Sequence, residues 1–138
     1  MSARFCIRGM KEEDCAGIAR LCGQLGYPAT SHQVRPRIAN ILARENHKVF
    51  VAEAAVGKII GWVHVHSYPL LESDLMAEIG GLVVNQDFRR MGVGRALMRY
   101  AEEWARTMGC ANVSVRSNVI FYEGVGYTER HKQRVAGS

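Results

Sequence analysis

The chain reads Arg89-Arg90-Met91-Gly92-Val93-Gly94-Arg95-Ala96 between an apolar run at residues 79–84 and a helix-patterned segment at residues 96–108. Gly92 and Gly94 have no Cβ, so the backbone can turn sharply there and approach a ligand closely. The first N–H groups of the following helix lack partners within the helix, and with the helix dipole they favour an anion. A strand, a basic glycine turn and a helix start in this order predict a diphosphate site.

Length and composition favour one globular domain that spans residues 1–138. A chain of 138 residues buries on the order of 68% of its unfolded surface. Its composition, 48% hydrophobic and 22% charged, is typical of soluble proteins. The formal charge of +5 at pH 7 suits an anionic ligand. Because the basic residues are scattered and form no long run, no nucleic-acid partner is predicted.

Cysteine usage and the amino terminus indicate a cytoplasmic protein. The cysteines at positions 6, 15, 22 and 110 form no Cys-x-x-Cys pair, so we expect them to be reduced and structural. The first five residues lack the apolar stretch of a signal peptide. No segment approaches the roughly 20 apolar residues of a membrane span, so no membrane partner is predicted.

Periodicity predicts two helices in the first third of the chain. A strand at residues 5–8 precedes a helix that ends at Gly26. A second helix is expected to start at about Arg35 and end at about Glu45, because Pro36 is comfortable only near a first turn. Ile38 and Leu42 would face inward, with Ile41 between them.

The middle of the chain predicts a hairpin followed by a crossover. Two strands at residues 48–55 and 58–66 flank a Val56-Gly57 turn, and residues 68–76, which include a proline, indicate a loop. A strand at residues 77–84, the helix after the glycine turn and a strand at residues 112–117 would form a parallel pair. The fold class is therefore α+β (mixed α/β), with a central, largely antiparallel sheet.

Competing motifs are weak. No Walker sequence is present, and Leu97 stands where a dinucleotide fingerprint needs its third glycine. His64 and His66 share a strand face, but the sequence offers no evident third ligand, so an ordinary sheet-surface pair is favoured and no metal is predicted.

Residues 77–127 resemble the coenzyme-A-binding core of the GNAT superfamily of N-acetyltransferases, whose hallmark is Arg/Gln-x-x-Gly-x-Gly/Ala. Arg89, Gly92 and Gly94 match that hallmark. Phe121-Tyr122-Glu123-Gly124-Val125-Gly126-Tyr127 is similar to the late Tyr-x-x-x-Gly-Phe/Tyr element of the family. The earlier strand, two helices and hairpin follow the family's order as well.

The resemblance implies a GNAT-like fold with a splayed strand pair and acetyl-CoA as co-substrate. The glycine loop would hold the diphosphate, the preceding strand would pair with the pantetheine arm, and an N–H near Leu82 or Val83 would polarise the thioester carbonyl. Transfer in the family is direct. The expected coenzyme-binding residues are Leu82, Val83, Val84, Arg89, Arg90, Met91, Gly92, Val93, Gly94, Arg95 and Ala96.

Two residues are candidates for moving protons. An alkylammonium with a pKa of about 10 must lose a proton before it attacks, and Glu78 could accept that proton directly or through water. The alternative for Glu78 is an exposed strand carboxylate. Tyr122 matches the family tyrosine that stabilises or protonates the departing thiolate. The alternative role for Tyr122 is that of an aromatic core residue. The connection between Asn118 and Tyr122 is shorter than in relatives, which leaves open a lost helix or a segment missing from the sequence.

The acyl acceptor is the least defined part. Glu72, Asp74 and Glu78 favour a cationic amine, so a small-molecule amine such as an aminoglycoside or polyamine is expected. Alternatives are a peptide or protein amine, or a non-catalytic domain that binds acyl-CoA as a sensor. The apolar residues Leu70 and Leu71 are compatible with a homodimer interface.

Overall fold

A six-stranded sheet forms the centre of the computed structural model, which describes residues 4–116 and 133–135. The strands lie side by side in chain order: β1 Cys6–Gly9, β2 His47–Ala55, β3 Lys58–Leu70, β4 Ser73–Val84, β5 Asn112–Val115 and β6 Gln133–Val135. Every neighbouring pair is antiparallel except β4 and β5, which are parallel. The predicted mixed, largely antiparallel architecture is confirmed.

Three helices cover this sheet: α1 Cys15–Leu25, α2 Ser31–Leu42 and α3 Val93–Thr107. The prediction that α2 starts at about Arg35 was wrong. Thr30 and Gln33 form a capping box, in which the Thr30 hydroxyl accepts from the Gln33 N–H and the Gln33 side chain accepts from the Thr30 N–H. This box begins the helix one turn earlier and keeps Pro36 on its exposed side. Leu42, expected to face inward, is half exposed.

The strands of the second hairpin are longer than predicted. Residues 68–76 were expected to form a loop, but Tyr68 pairs with Met76 and Leu70 pairs with Ser73, so β3 and β4 extend almost to the turn. Pro69 lies at a register shift between the two pairs. A proline is tolerated at such an irregularity because its missing N–H is not required in the ladder.

The sheet separates two apolar cores. Because strand side chains alternate between faces, Leu82 and Val84 of β4 pack with the α3 residues Val93 and Leu97, whereas Val83 faces the layer formed by α1 and α2. All five side chains are almost fully buried. The end of β4 is therefore held from both sides. Among the described residues no helix combines the length and apolar character needed to cross a membrane.

The edge of β4 is irregular where it meets β5. The β3 pairing moves from His64 with Gly81 to Val65 with Ile79, which leaves Gly80 as the extra residue of a bulge. On the other edge, β5 pairs with β4 only as far as Ile79, whose carbonyl also accepts the Arg116 N–H at 3.2 Å. The residues that would continue β5 beside the end of β4 lie outside the described part of the chain, so the splayed strand pair stays a prediction.

Close packing of α1 on β3 gives a stability prediction. A Cβ added at Gly17 would lie 2.8 Å from the Ile59 Cβ, whereas one added at Gly23 in the same helix would meet nothing within 4 Å. Gly17→Ala is therefore expected to destabilise the protein by about 1–3 kcal/mol, and Gly23→Ala to stabilise it by up to about 1 kcal/mol. Urea unfolding of both variants measures the difference. A Gly17→Ala protein as stable as Gly23→Ala would contradict the packing.

Candidate functional site

The glycine loop lies between the carboxyl end of β4 and the first turn of α3. Residues 86–88 form a short 3-10 turn, and Arg90 and Gly92 then adopt left-handed backbone angles, with φ of 67° and 85°. Gly92 is the N-cap of α3, and a Cβ there would meet nothing within 4 Å. The space above the loop is therefore open. A glycine N-cap has no side chain to accept from the first helical N–H groups, so these donors are available to an anion.

The predicted loop residues divide into three kinds. Arg90, Met91 and Arg95 are all exposed. The two arginines make the surface of the loop basic. The Arg89 Nε donates to the Val84 carbonyl at 3.2 Å, so this arginine ties the loop back to β4. Val93 is buried in the core, so only its backbone faces the loop.

The last predicted residue of the loop is already part of the helix. The N–H of Ala96 donates to the Gly92 carbonyl at 3.0 Å, the first hydrogen bond of α3. The expectation that Ala96 contributes a free donor was wrong, because helical bonding begins at the fourth residue after an N-cap. The donors at this end of the helix are the N–H groups of Val93, Gly94 and Arg95.

A cavity of about 270 Å³ opens beside the bulge of β4 and the end of β5, on the face covered by α1 and α2. Tyr27, Trp62 and Arg116 line it, together with Gly80 and Gly81 of the bulge. A Cβ at Gly81 would lie 2.8 Å from the Trp62 ring, so glycine is needed for the indole to pack this close to the strand. The cavity therefore has an aromatic wall.

Glu78 lies on the same sheet face, two residues before the bulge. It is directly opposite His66 in the β3–β4 register, and its Oε1 is 3.6 Å from the His66 Nε2. Its side chain is 29% exposed. The carboxylate is thus accessible to solvent while it contacts a neighbouring imidazole, which is compatible with proton transfer.

The other acidic residues do not gather around Glu78. Glu72 and Asp74 are exposed near the β3–β4 turn, and the four residues from Asp74 to Glu78 span about 13 Å of strand. The negative charge expected from these three residues is therefore spread along β4 and the turn before it. Leu70 and Leu71 are exposed at the same turn, and the homodimer stays a prediction.

Sequence reasoning missed a third histidine beside His64 and His66. His47 is directly opposite His66 in the β2–β3 register, its Nδ1 is 3.0 Å from the His64 Nε2, and its ring stacks on both others. Counting outward from the Val56-Gly57 turn would have found this pair, because residues 47 and 66 are equidistant from it. The statement that no third ligand is evident was wrong.

Burial keeps the three imidazoles neutral. It lowers the pKa of His64 to about 4, and the charges of His47, His66 and Arg116 act in the same direction. Burial also lowers the pKa of His66, although Glu78 opposes this. The pKa of His47 is lowered by burial and by the charges of His66 and Arg44. The cluster therefore presents unprotonated nitrogens at neutral pH.

Tyr122 lies outside the described residues, as do the motif at residues 121–127 and the short connection after Asn118. Its role in serving the thiolate stays a prediction.

Comparison with known proteins agrees with this geometry. Residues 12–127 match the family model described as the acetyltransferase (GNAT) family. The chain is 29% identical to an uncharacterized N-acetyltransferase of Chlorobaculum tepidum, over 96% of this chain and 81% of that protein. It is 31% identical to an aminoglycoside N(6')-acetyltransferase type 1 of Stenotrophomonas maltophilia, over 82% of this chain and 75% of that enzyme. A solved aminoglycoside N-acetyltransferase in complex with CoA is similar in fold, with a TM-score of 0.71 at 20% identity over 84% of this chain and 78% of that one.

Proposed function

The chain belongs to the GNAT family of acetyltransferases and is an acyltransferase, and we propose that it moves an acetyl group directly from acetyl-CoA to a primary amine of a small molecule. One observation carries the proposal: β4 leads through a basic turn into a helix that is capped by glycine, and a glycine N-cap has no side chain to accept from the first N–H groups of that helix. This places an anion-binding helix end directly after the strand that is proposed to pair with the amide-bearing arm. A thioester with a long amide-bearing arm and a diphosphate needs both.

The diphosphate end of the coenzyme would bind at the start of α3. The N–H groups of Val93, Gly94 and Arg95 supply donors there, and the helix dipole adds favourable potential. Arg90 and Arg95 are exposed beside them and add charge. Arg89 supports the site by holding the loop against β4. Backbone donors thus fix the position of the diphosphate, while the arginines strengthen its binding.

The acyl arm would lie along the edge of β4 that faces away from β3. The Asn85 N–H donates to the Ile60 carbonyl of β3, and the groups of alternate residues in an antiparallel pair point the same way. Val83 is therefore bonded toward β3, whereas the N–H group of Leu82 points toward the opposite edge. Of the two residues considered for polarising the thioester carbonyl, this alternation supports Leu82.

The amine would approach through the cavity lined by Tyr27 and Trp62. Glu78, on the same face, is the proposed proton acceptor, directly or through water. The aromatic wall suits a cationic amine, whereas Arg37 and Arg116, which also line the cavity, oppose a positive charge. The aminoglycoside acetyltransferase that is 31% identical supports a small molecule that carries several amines. For the thiolate, we retain Tyr122 as the proposed proton donor.

A panel assay tests this proposal. The full chain is incubated with acetyl-CoA and an aminoglycoside, a polyamine or a lysine-containing peptide, while CoA thiol release and acetylated product are measured. Calorimetry with acetyl-CoA runs in parallel. We expect binding, with release and product for a small-molecule amine. Turnover of the peptide alone would contradict the acceptor class, and coenzyme binding without release for any amine would contradict the transfer in favour of a sensor.

A further inference from the structure

Three histidines on one face of the β2–β3 hairpin have no part of their own in the proposed transfer, although His66 contacts Glu78, the proposed proton acceptor. We propose that His47, His64 and His66 form a binding site for a divalent transition metal ion such as Zn²⁺, with Glu78 supporting His66 from behind. The site does not depend on the proposed acetyl transfer.

The distances between the histidines fit three ligands of one ion. Each residue offers one ring nitrogen, and these three atoms all lie within 4.8 Å of one another. The His47 Nδ1 and the His64 Nε2 are 3.0 Å apart. Two nitrogens that bind one tetrahedral zinc at about 2.0–2.1 Å are about 3.3 Å apart. Small rotations of side chains on a rigid hairpin would bring the three nitrogens to that spacing.

The chemical type of the ligands indicates which ions would bind. Imidazoles select zinc, copper and nickel over magnesium and calcium. Three protein ligands leave the fourth tetrahedral position to water or another small ligand.

Glu78 supplies the supporting contact that metal-binding histidines usually have. The His66 Nε2 faces the Glu78 carboxylate at 3.6 Å, whereas the His66 Nδ1 is buried and has no hydrogen-bond partner among the residues that the structure describes. A small side-chain rotation that brings this contact within hydrogen-bond distance would let Nε2 donate to the carboxylate and would leave the Nδ1 lone pair for a metal. An ion would satisfy a nitrogen that is otherwise left unpaired at a free-energy cost.

Charges around the cluster act in both directions. Glu78 faces His66 and favours a cation, whereas Arg116 faces His64 and His66, and Arg44 faces His47. The two arginines are exposed. Dissolved salt therefore weakens their repulsion of a bound cation more than it weakens the bonds between the cation and the histidines. We therefore expect reversible binding, in which the fraction of occupied sites follows the concentration of free metal.

Titration of the untagged full chain with Co²⁺ tests the site. We expect one ion per chain and the intense visible absorption of tetrahedral cobalt, displaced by Zn²⁺. His47→Ala and His64→Ala are expected to weaken binding by about 10-fold or more, and Glu78→Gln by about 10- to 100-fold. His32→Ala, which removes an exposed histidine of α2, serves as the matched control and should bind as the wild type does.

Circular dichroism and thermal melting establish that each variant is folded before its affinity is compared. If a histidine variant does not fold, the Co²⁺ absorption spectrum of the wild-type protein tests the site by itself. Absence of a saturable tetrahedral signal in the wild-type protein would overturn the proposal. An equal loss of binding in His32→Ala would overturn it too, because the metal would then bind to surface histidines.

Discussion

Replacing Glu78 with glutamine, Glu78→Gln, is expected to lower kcat for amine acetylation by about 100- to 10,000-fold. Glutamine has the same shape and can still contact His66, which lies 3.6 Å from the carboxylate, but it cannot accept a proton. An amine with a pKa of about 10 arrives largely as the ammonium, so the loss of the acceptor acts on the transfer step. Thiol release at saturating acetyl-CoA and amine measures the effect.

A matched variant separates this loss from a general effect of removing charge. Glu103 of α3 is on the opposite side of the sheet, its side chain is 67% exposed, and its partner is Arg106 on the same helix. Glu103→Gln should leave kcat unchanged, and Glu78→Gln should keep the calorimetric affinity for acetyl-CoA. A chelator in every assay removes any effect of metal at the histidines. A Glu78→Gln enzyme within twofold of wild-type kcat would exclude Glu78 as the proton acceptor.

The glycine turn and the hairpin were predictable because each is specified by a few adjacent residues. Left-handed backbone at Gly57 and Gly92 is a property of glycine itself, and a two-residue turn between apolar runs sets the pairing on either side. The extension of β3 and β4 through residues 68–76 was not predictable in this way. Those residues include a proline and several polar residues, and they become strands because their partners continue the ladder.

Long-range partners limited the prediction of the site. The role of Glu78 stays a prediction, and the face that Glu78 shares with the cavity depends on the bulge at Gly80, because a bulge shifts every later side chain to the other face. His47 is 17 residues from His64, so only the hairpin register brings them together. The start of α3 was predictable from the glycine turn, but only the position of the N-cap shows that the Ala96 N–H is already bonded within the helix.

Asp14, just before α1, shows the same limit. Its side chain accepts from the Lys11 N–H at 2.8 Å, a local contact at a helix start. The side chain is also only 5% exposed, and both its oxygens accept from Arg8 at 2.9 Å. Burial raises the pKa of Asp14, and the hydrogen bonds from Arg8 and the Lys11 N–H outweigh it, so the net pKa is lowered. Arg8 also bonds Glu53 of β2. A tertiary network, which local sequence does not indicate, thus adds to the local role of Asp14.

Replacing Gly92 with valine, Gly92→Val, is expected to weaken acetyl-CoA binding by about 10- to 100-fold, or about 1.4–2.7 kcal/mol. A left-handed φ of 85° costs a residue with a Cβ about 1–2 kcal/mol. The loop would relieve this strain by moving the N–H groups of Val93, Gly94 and Arg95 away from their common direction. The new side chain would also occupy the open space above the loop, where the diphosphate is proposed to bind. Calorimetry with acetyl-CoA measures the loss.

Gly57→Val is the control for backbone strain. Gly57 has a φ of 79°, and a Cβ there also meets nothing within 4 Å, but it lies in the β2–β3 turn and not at the start of α3. Both variants should lose about 1–2 kcal/mol of unfolding free energy in urea, while only Gly92→Val loses coenzyme affinity. Wild-type affinity in both variants would mean that the start of α3 does not hold the diphosphate. The same loss of affinity in both variants would mean that reduced stability, and not the loop, weakens binding.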